Sequence, residues 1–145
     1  MKNIKIAIGC DHGGFNLKEK IIEDLRGKNL EFKDFGTFDE QSCNYPAIAK
    51  EVALEVSNKN FDCGILICGT GIGMSIVANK VSGIRAALCS DTFSARMSKA
   101  HNDANILCLG QRVVGEGLAI DIVNTWLDSE FEGGRHKFRV DMIEV

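Results

Sequence analysis

Residues 63–73 read CGILICGTGIG, and the fold is decided there. Cys63 to Cys68 is an unbroken apolar run of strand length, the pattern of a strand buried on both faces. Gly69 to Gly73 is a glycine-rich turn, and the helix-like stretch beyond it reaches about Lys80. A strand that exposes neither face must be covered above and below. A parallel sheet achieves this with crossover helices.

The alternation extends both ways from this unit. Ile4 to Gly9 is a short apolar run ending in CDHGG, hence a first strand and a turn. Asn16 to Arg26 carries Leu17, Ile21, Ile22 and Leu25 at helical spacing, with Gly27 as its stop. Glu31 to Phe35 forms a second strand. Pro46 suits the first turn of a helix on which Ile48, Val52 and Val56 mark one face. Downstream, Arg85 to Cys89 reads as the fourth strand, Asp91 to Ala100 as a helix and Ile106 to Gly110 as the fifth strand. Leu118, Ile122 and Trp126 give Gly117 to Leu127 a helical stripe. After the Gly133-Gly134 break, the charged tail Arg135 to Val145 reads as helical.

This order predicts a Rossmann-like three-layer α/β sandwich: a five-stranded parallel sheet, helices on both faces, and a C-terminal helical tail. The expected strand order is 2-1-3-4-5. Ligands of such sheets sit beyond the C-terminal strand ends, at the point where the winding reverses. Here that point lies between strands one and three, where the CDHGG and CGTGIG loops meet.

The 145 residues suit one domain, 1–145, with 45% apolar and 26% charged side chains. A net charge of −3 lacks the basic footprint of a general nucleic-acid or membrane-surface binder. No apolar stretch approaches the roughly 20 residues of a membrane span. Met1 to Gly9 has no signal-peptide pattern, so a cytoplasmic location is expected. The six cysteines (Cys10, Cys43, Cys63, Cys68, Cys89 and Cys108) form no C-x-x-C pair and mostly sit in apolar runs. They read as reduced, with no disulfide framework.

The glycine loop follows a strand and opens a helix, so its N–H groups can cradle an anion. It follows strand three rather than strand one, which argues against a dinucleotide. Cys68 immediately precedes it, where a helix N-terminus favours thiolate; inert core is the plain alternative. Asp11 and His12 end strand one and come beside Cys68, either as a capping pair or as functional groups. His101 and Asn102 follow the fourth helix in AHNDAN. Arg112, Arg135 and Arg139 form a basic set, and the last two, four apart, share a helix face suited to a phosphate. The third histidine, His136, is read as a tail residue. A tail so placed struggles to fold back over its own site, and a neighbouring subunit offers an alternative.

The ordered motifs GCDHGGF, DFGT, NYP, DCGILICGTGIGMSIVANKVSGIRAAL, AHNDAN, LGQRVVG and EGGRHKFRV cover nearly the whole chain. They resemble type B ribose-5-phosphate isomerase, of the family that includes galactose-6-phosphate isomerase subunits. The resemblance implies an aldose–ketose isomerase with no metal and no cofactor. By position it makes Cys68 the base, His101 the acid/base that opens the sugar ring, and Asp11 the group handling protons on the sugar oxygens. Gly69, Thr70, Gly71, Ile72 and Gly73 match the loop that binds the enediolate. His12, Asn102, Arg112, Arg135 and Arg139 match residues holding the sugar and its phosphate, and Tyr45 lines the pocket. The family places this site between the subunits of a homodimer. Some members use a glutamate that would fall at Met74, a side chain that cannot take a proton.

The implied reaction removes a proton from C2 and returns it at C1, with Thr70 and the loop N–H groups as donors to the enediolate. Allose 6-phosphate and galactose 6-phosphate stay open as substrates, as does a non-catalytic sugar-phosphate sensor. Zinc held by Cys10, His12, Cys68 and His101 is a further alternative, although their spacing fits no compact zinc motif.

Overall fold

The computed structural model describes residues 3–144, so Met1, Lys2 and Val145, at the ends of two expected segments, lie outside the described residues. Five parallel strands, β1 (Lys5–Cys10), β2 (Glu31–Asp34), β3 (Cys63–Cys68), β4 (Ala86–Leu88) and β5 (Ile106–Gly110), form one sheet. The helices are α1 (Phe15–Gly27), α2 (Tyr45–Ser57), α3 (Ile72–Asn79), α4 (Thr92–Ala100), α5 (Glu116–Asp128) and α6 (Arg135–Ile143). The expected Rossmann-like sandwich is present; β3 and β5 keep their expected bounds, and the other expected segments appear with ends moved by a residue or two.

The strand order is 2-1-3-5-4, not 2-1-3-4-5. The cause is burial. Every residue of ILCLG in β5 is buried, so β5 takes an inner position between β3 and β4. By contrast β4 has only three residues, AAL, all at least partly exposed, and a short half-wet strand belongs at an edge. The reversal of winding still falls between β1 and β3, so the expected crevice keeps its place.

Alternate residues of the central strands feed two cores. Ile6, Ile8, Ile65, Ile67, Leu107 and Leu109 pack with Leu17, Ile21 and Leu25 of α1 and with Ile122, Val123 and Trp126 of α5. Ala7, Leu66, Ile106, Cys108 and Cys68 face the other way, against Val52 and Val56 of α2 and Met74 and Ala78 of α3. The period of two in side-chain direction therefore puts Cys68 on the α2–α3 face.

One charge enters this interior. Lys18, on the buried side of α1, is wholly inaccessible, and its Nζ lies 2.8 Å from both carboxylate oxygens of Asp34. It also donates to Thr37 O at 2.5 Å. Asp34 accepts from Gly36 N, and Cys10 exchanges backbone bonds with residues 36 and 37. The DFGT segment is thus fastened beside the end of β1, where the crevice begins.

Candidate active site

Cys68 is the last residue of β3, almost fully buried, and its carbonyl accepts from Gln111 N at 2.9 Å. Its thiol turns into the loop, where Gly71 N–H points at Sγ from 3.0 Å. That geometry needs glycine: Gly71 has φ +81°, and an added Cβ would lie 2.5 Å from Leu88 Cδ1. The helix α3 starts at the next residue, so its first N–H groups open on the same space. Thr70 Oγ1 accepts from Ile72 N at 3.2 Å, which leaves the hydroxyl proton free to donate outward. Ile72 itself is half exposed on the rim.

The first loop closes against the second. Asp11, 8% exposed, binds Ile67 O through its N–H and accepts from Gly13 N at 2.9 Å. A Cβ on Gly13 would stand 3.2 Å from Gly69 N, and one on Gly14 would stand 2.6 Å from Ile67 O. His12 accepts from Cys43 N at Nδ1, 3.3 Å away, so its neutral ring carries the proton on Nε2. Tyr45 opens α2 and lays its ring over Gly73, where an added Cβ would meet Cε1 at 2.5 Å. Arg112 donates its N–H to Gly69 O, and its guanidinium runs alongside Gly69. Cys68, Asp11, Thr70, His12, Tyr45, Arg112 and the glycine loop therefore surround one crevice.

His101, Asn102, Arg135 and Arg139 do not join them within the chain. The helix α4 leaves the C-terminal end of β4 and returns to the start of β5, so His101 and Asn102 lie at the opposite end of the strands. Between the Gly64–Ile106 and Cys68–Gly110 pairs the ladder spans four steps, about 13 Å at 3.3 Å each. The helix α6 docks at that far end too: Glu144 pairs with Arg85 at 2.6 Å, just before β4. Arg135 and Arg139 extend from it, exposed. The zinc set of Cys10, His12, Cys68 and His101 is likewise not assembled in one chain.

Two residues at the far end carried no weight in the sequence reading. His136, read there as a tail residue, is 7% exposed and lies flat on His101, ring centroids 4.1 Å apart and planes within 9°. Glu132 Oε1 stands 3.3 Å from His136 Nε2 and 3.7 Å from His101 Nε2. A signal was present: His136 and Val140 are four apart and form the buried side of α6, away from the arginines. Among the described residues these three groups are the metal-type ligands that converge, their ligand atoms within 4.8 Å of one another.

Four of the other thiols lie buried away from the loop. All six cysteines are free. Burial pushes the Cys10 and Cys63 thiols up to about 12 and Cys89 up to about 11, and it raises Cys108 as well. Such groups stay neutral in the folded protein near pH 7.

The chain has counterparts among known proteins. Residues 6–143 match the family described as Ribose/Galactose Isomerase. A relative from Listeria innocua, named Ribose-5-P isomerase B, is 53% identical over 97% of this chain and 95% of its own. The ribose-5-phosphate isomerase B of Clostridium thermocellum, solved as a structure, superposes with a TM-score of 0.96 at 56% identity, covering 97% of this chain and 95% of that one. A relative from Pectobacterium atrosepticum, 45% identical over 97% of this chain and 93% of its own, is named D-erythrulose-4-phosphate isomerase. With sequence and fold in agreement over nearly its whole length, the chain belongs to the ribose/galactose isomerase family.

Proposed function

We propose that the chain is a single-domain, cytoplasmic aldose–ketose isomerase that interconverts ribose 5-phosphate and ribulose 5-phosphate, a step of the pentose phosphate pathway. The observation that carries this reading is the thiol of Cys68, held by Gly71 N–H at the mouth of a glycine loop, one residue after the Ile67 carbonyl that Asp11 N–H binds. Binding alone needs no such group, which disfavours a sensor.

In the proposed reaction Cys68 takes the C2 proton of the linear sugar, and the same thiol returns it at C1. The electrons move into a cis-enediolate. Two loop N–H groups are engaged inside the chain, Gly71 on Sγ and Ile72 on Thr70. The proposed donors to the enediolate are therefore the N–H groups of Gly69, Thr70 and Gly73, with the Thr70 hydroxyl. Asp11 moves protons between the two sugar oxygens. No step calls for a metal or cofactor.

The site is completed by a second copy of the chain. His101, Asn102, Arg135 and Arg139 of the partner subunit supply ring opening and phosphate binding to Cys68, with His12, Tyr45 and Arg112 from the near side. What supports the homodimer is the separation within one chain: two half-sites at opposite ends of the strands, each lacking what the other carries.

The test is turnover of ribose 5-phosphate by chelator-treated protein and by Cys68→Ala. Activity in the first and none in the second is the expected result; substantial turnover by Cys68→Ala removes the thiol as base. The Pectobacterium relative's name keeps a second substrate in view, so erythrulose 4-phosphate, allose 6-phosphate and galactose 6-phosphate are assayed alongside. A higher kcat/KM on one of them reassigns the substrate.

A further inference from the structure

We propose that Glu132 and His136 form a positioning pair for His101. The idea rests on the reading of His101 as the ring-opening group, and it goes on to say what holds that imidazole ready. His101 sits at the end of α4, where a free imidazole on a helix terminus would sample several rotamers. Here two contacts restrain it. The ring of His136 covers one face at 4.1 Å, and His136 is itself buried, so the platform is rigid. Glu132 Oε1 faces the Nε2 edges of both rings. Glu132 is in turn pinned by its backbone, whose N–H donates to Ala100 O at 3.0 Å, one residue before His101.

The stack fixes the plane of the His101 ring, and the carboxylate fixes which edge turns inward. The Nδ1 edge is then the one presented to a sugar oxygen. The arrangement also links two tasks. His136 lies between Arg135 and Arg139 in sequence, so the helix proposed to take the phosphate also carries the platform for the ring-opening histidine. Phosphate held by α6 and imidazole held against α6 share one frame, which sets the distance between the two ends of the sugar.

A metal ion is the other reading of these ligands, and the ring planes weigh against it. Two imidazoles stacked within 9° of parallel hold their Nε2 lone pairs in two separate planes, whereas a tetrahedral ion needs them to meet at one point.

The test separates ring opening from proton transfer. Ribose 5-phosphate enters as a furanose and must be opened. Ribulose 5-phosphate stays linear, because its ring-closing C5 oxygen carries the phosphate. Exchange of its C1 proton with solvent therefore reports Cys68 chemistry alone. Full-length Glu132→Gln, His136→Ala and His136→Phe are compared with wild type, His101→Ala and Cys68→Ala, with melting temperatures measured for each.

In Glu132→Gln and His136→Ala, kcat/KM on ribose 5-phosphate is expected to fall at least tenfold while C1 exchange stays within twofold. His136→Phe, which keeps a flat ring under His101, is expected to recover most of the loss. His101→Ala should show the same split more deeply, and Cys68→Ala should lose both rates. Equal loss of both rates in the Glu132 and His136 variants, or loss of neither, overturns the positioning role. A His101→Ala protein that loses both rates equally overturns the ring-opening reading first, and this proposal with it. Zinc binding by the wild type that vanishes in both Glu132→Gln and His136→Ala makes the trio a cation site instead.

Discussion

Cys68 and His101 stand at opposite ends of the β3–β5 ladder, one within the last residue pair and one before the first. Parallel strands make this unavoidable: a crossover helix that leaves the top of one strand must deliver the chain to the bottom of the next. Two copies placed head to toe would bring each residue to the other's partner. Mixing refolded Cys68→Ala and His101→Ala chains, each inactive alone, should restore about a quarter of wild-type activity. Half of randomly paired dimers are mixed, and each mixed dimer has one intact site. No recovery after verified subunit exchange would place the whole site within one chain.

The buried pair of Lys18 and Asp34 should be among the most sensitive positions outside the crevice. The ammonium is wholly inaccessible, whereas the Asp34 side chain keeps 22% of its exposure. Asp34→Asn leaves the deeper charge with only Thr37 O and the half-exposed Glu19 carboxylate, 3.8 Å away, and should cost about 3–5 kcal/mol in urea unfolding. Lys18→Met leaves the wetter carboxylate and should cost less. The reverse ranking would mean that Glu19 and Thr37 O suffice to hold the ammonium.

The buried thiols predict a loss of stability in alkali. Cys10 and Cys63 titrate near 12 and Cys89 near 11 in the folded chain, against an ordinary value of 9.0 once unfolded. From pH 9 upward the unfolded state therefore holds fewer protons, and stability falls as pH rises until the folded values are reached. Each thiol adds about 1.4 kcal/mol per pH unit to that slope. Urea midpoints measured from pH 8 to 10.5 should decline, and Cys63→Ala should flatten the decline. An unchanged slope in that variant would remove Cys63 as a contributor.

Gly73 and Tyr45 should behave as one unit. A Cβ at Gly73 would overlap the Tyr45 ring, so Gly73→Ala must displace the ring from the rim. Its KM for the sugar phosphate should rise several-fold, with a smaller added effect in a Tyr45→Ala background. A double-mutant cycle reads this coupling, roughly 0.5–3 kcal/mol for residues in contact. Strict additivity would mean that the ring moves away without consequence for binding.

Much of this was open to a reader of the chain. The apolar strands, glycine turns and helical stripes are local signals, set by side-chain period and backbone sterics within a few residues, and they located β3, β5 and the glycine loop. The strand order was a poorer inference. Neighbours in a sheet are chosen by how much each strand must bury, and AAL loses the inner place to ILCLG only when both compete for β3. Lys18 was invisible for the same reason: its partner is 16 positions away and its burial depends on α1 lying over β2.

Short-range pattern was enough for the layered α/β architecture, the reversal between strands one and three, and the groups at the strand ends around Cys68. Which groups lie together came from long-range packing. It divided the expected site into two sets at opposite ends of the sheet, and it turned His136 from a tail residue into the floor beneath His101. Contacts between distant segments depend on how layers pack, and that packing is settled by the burial of the whole chain at once.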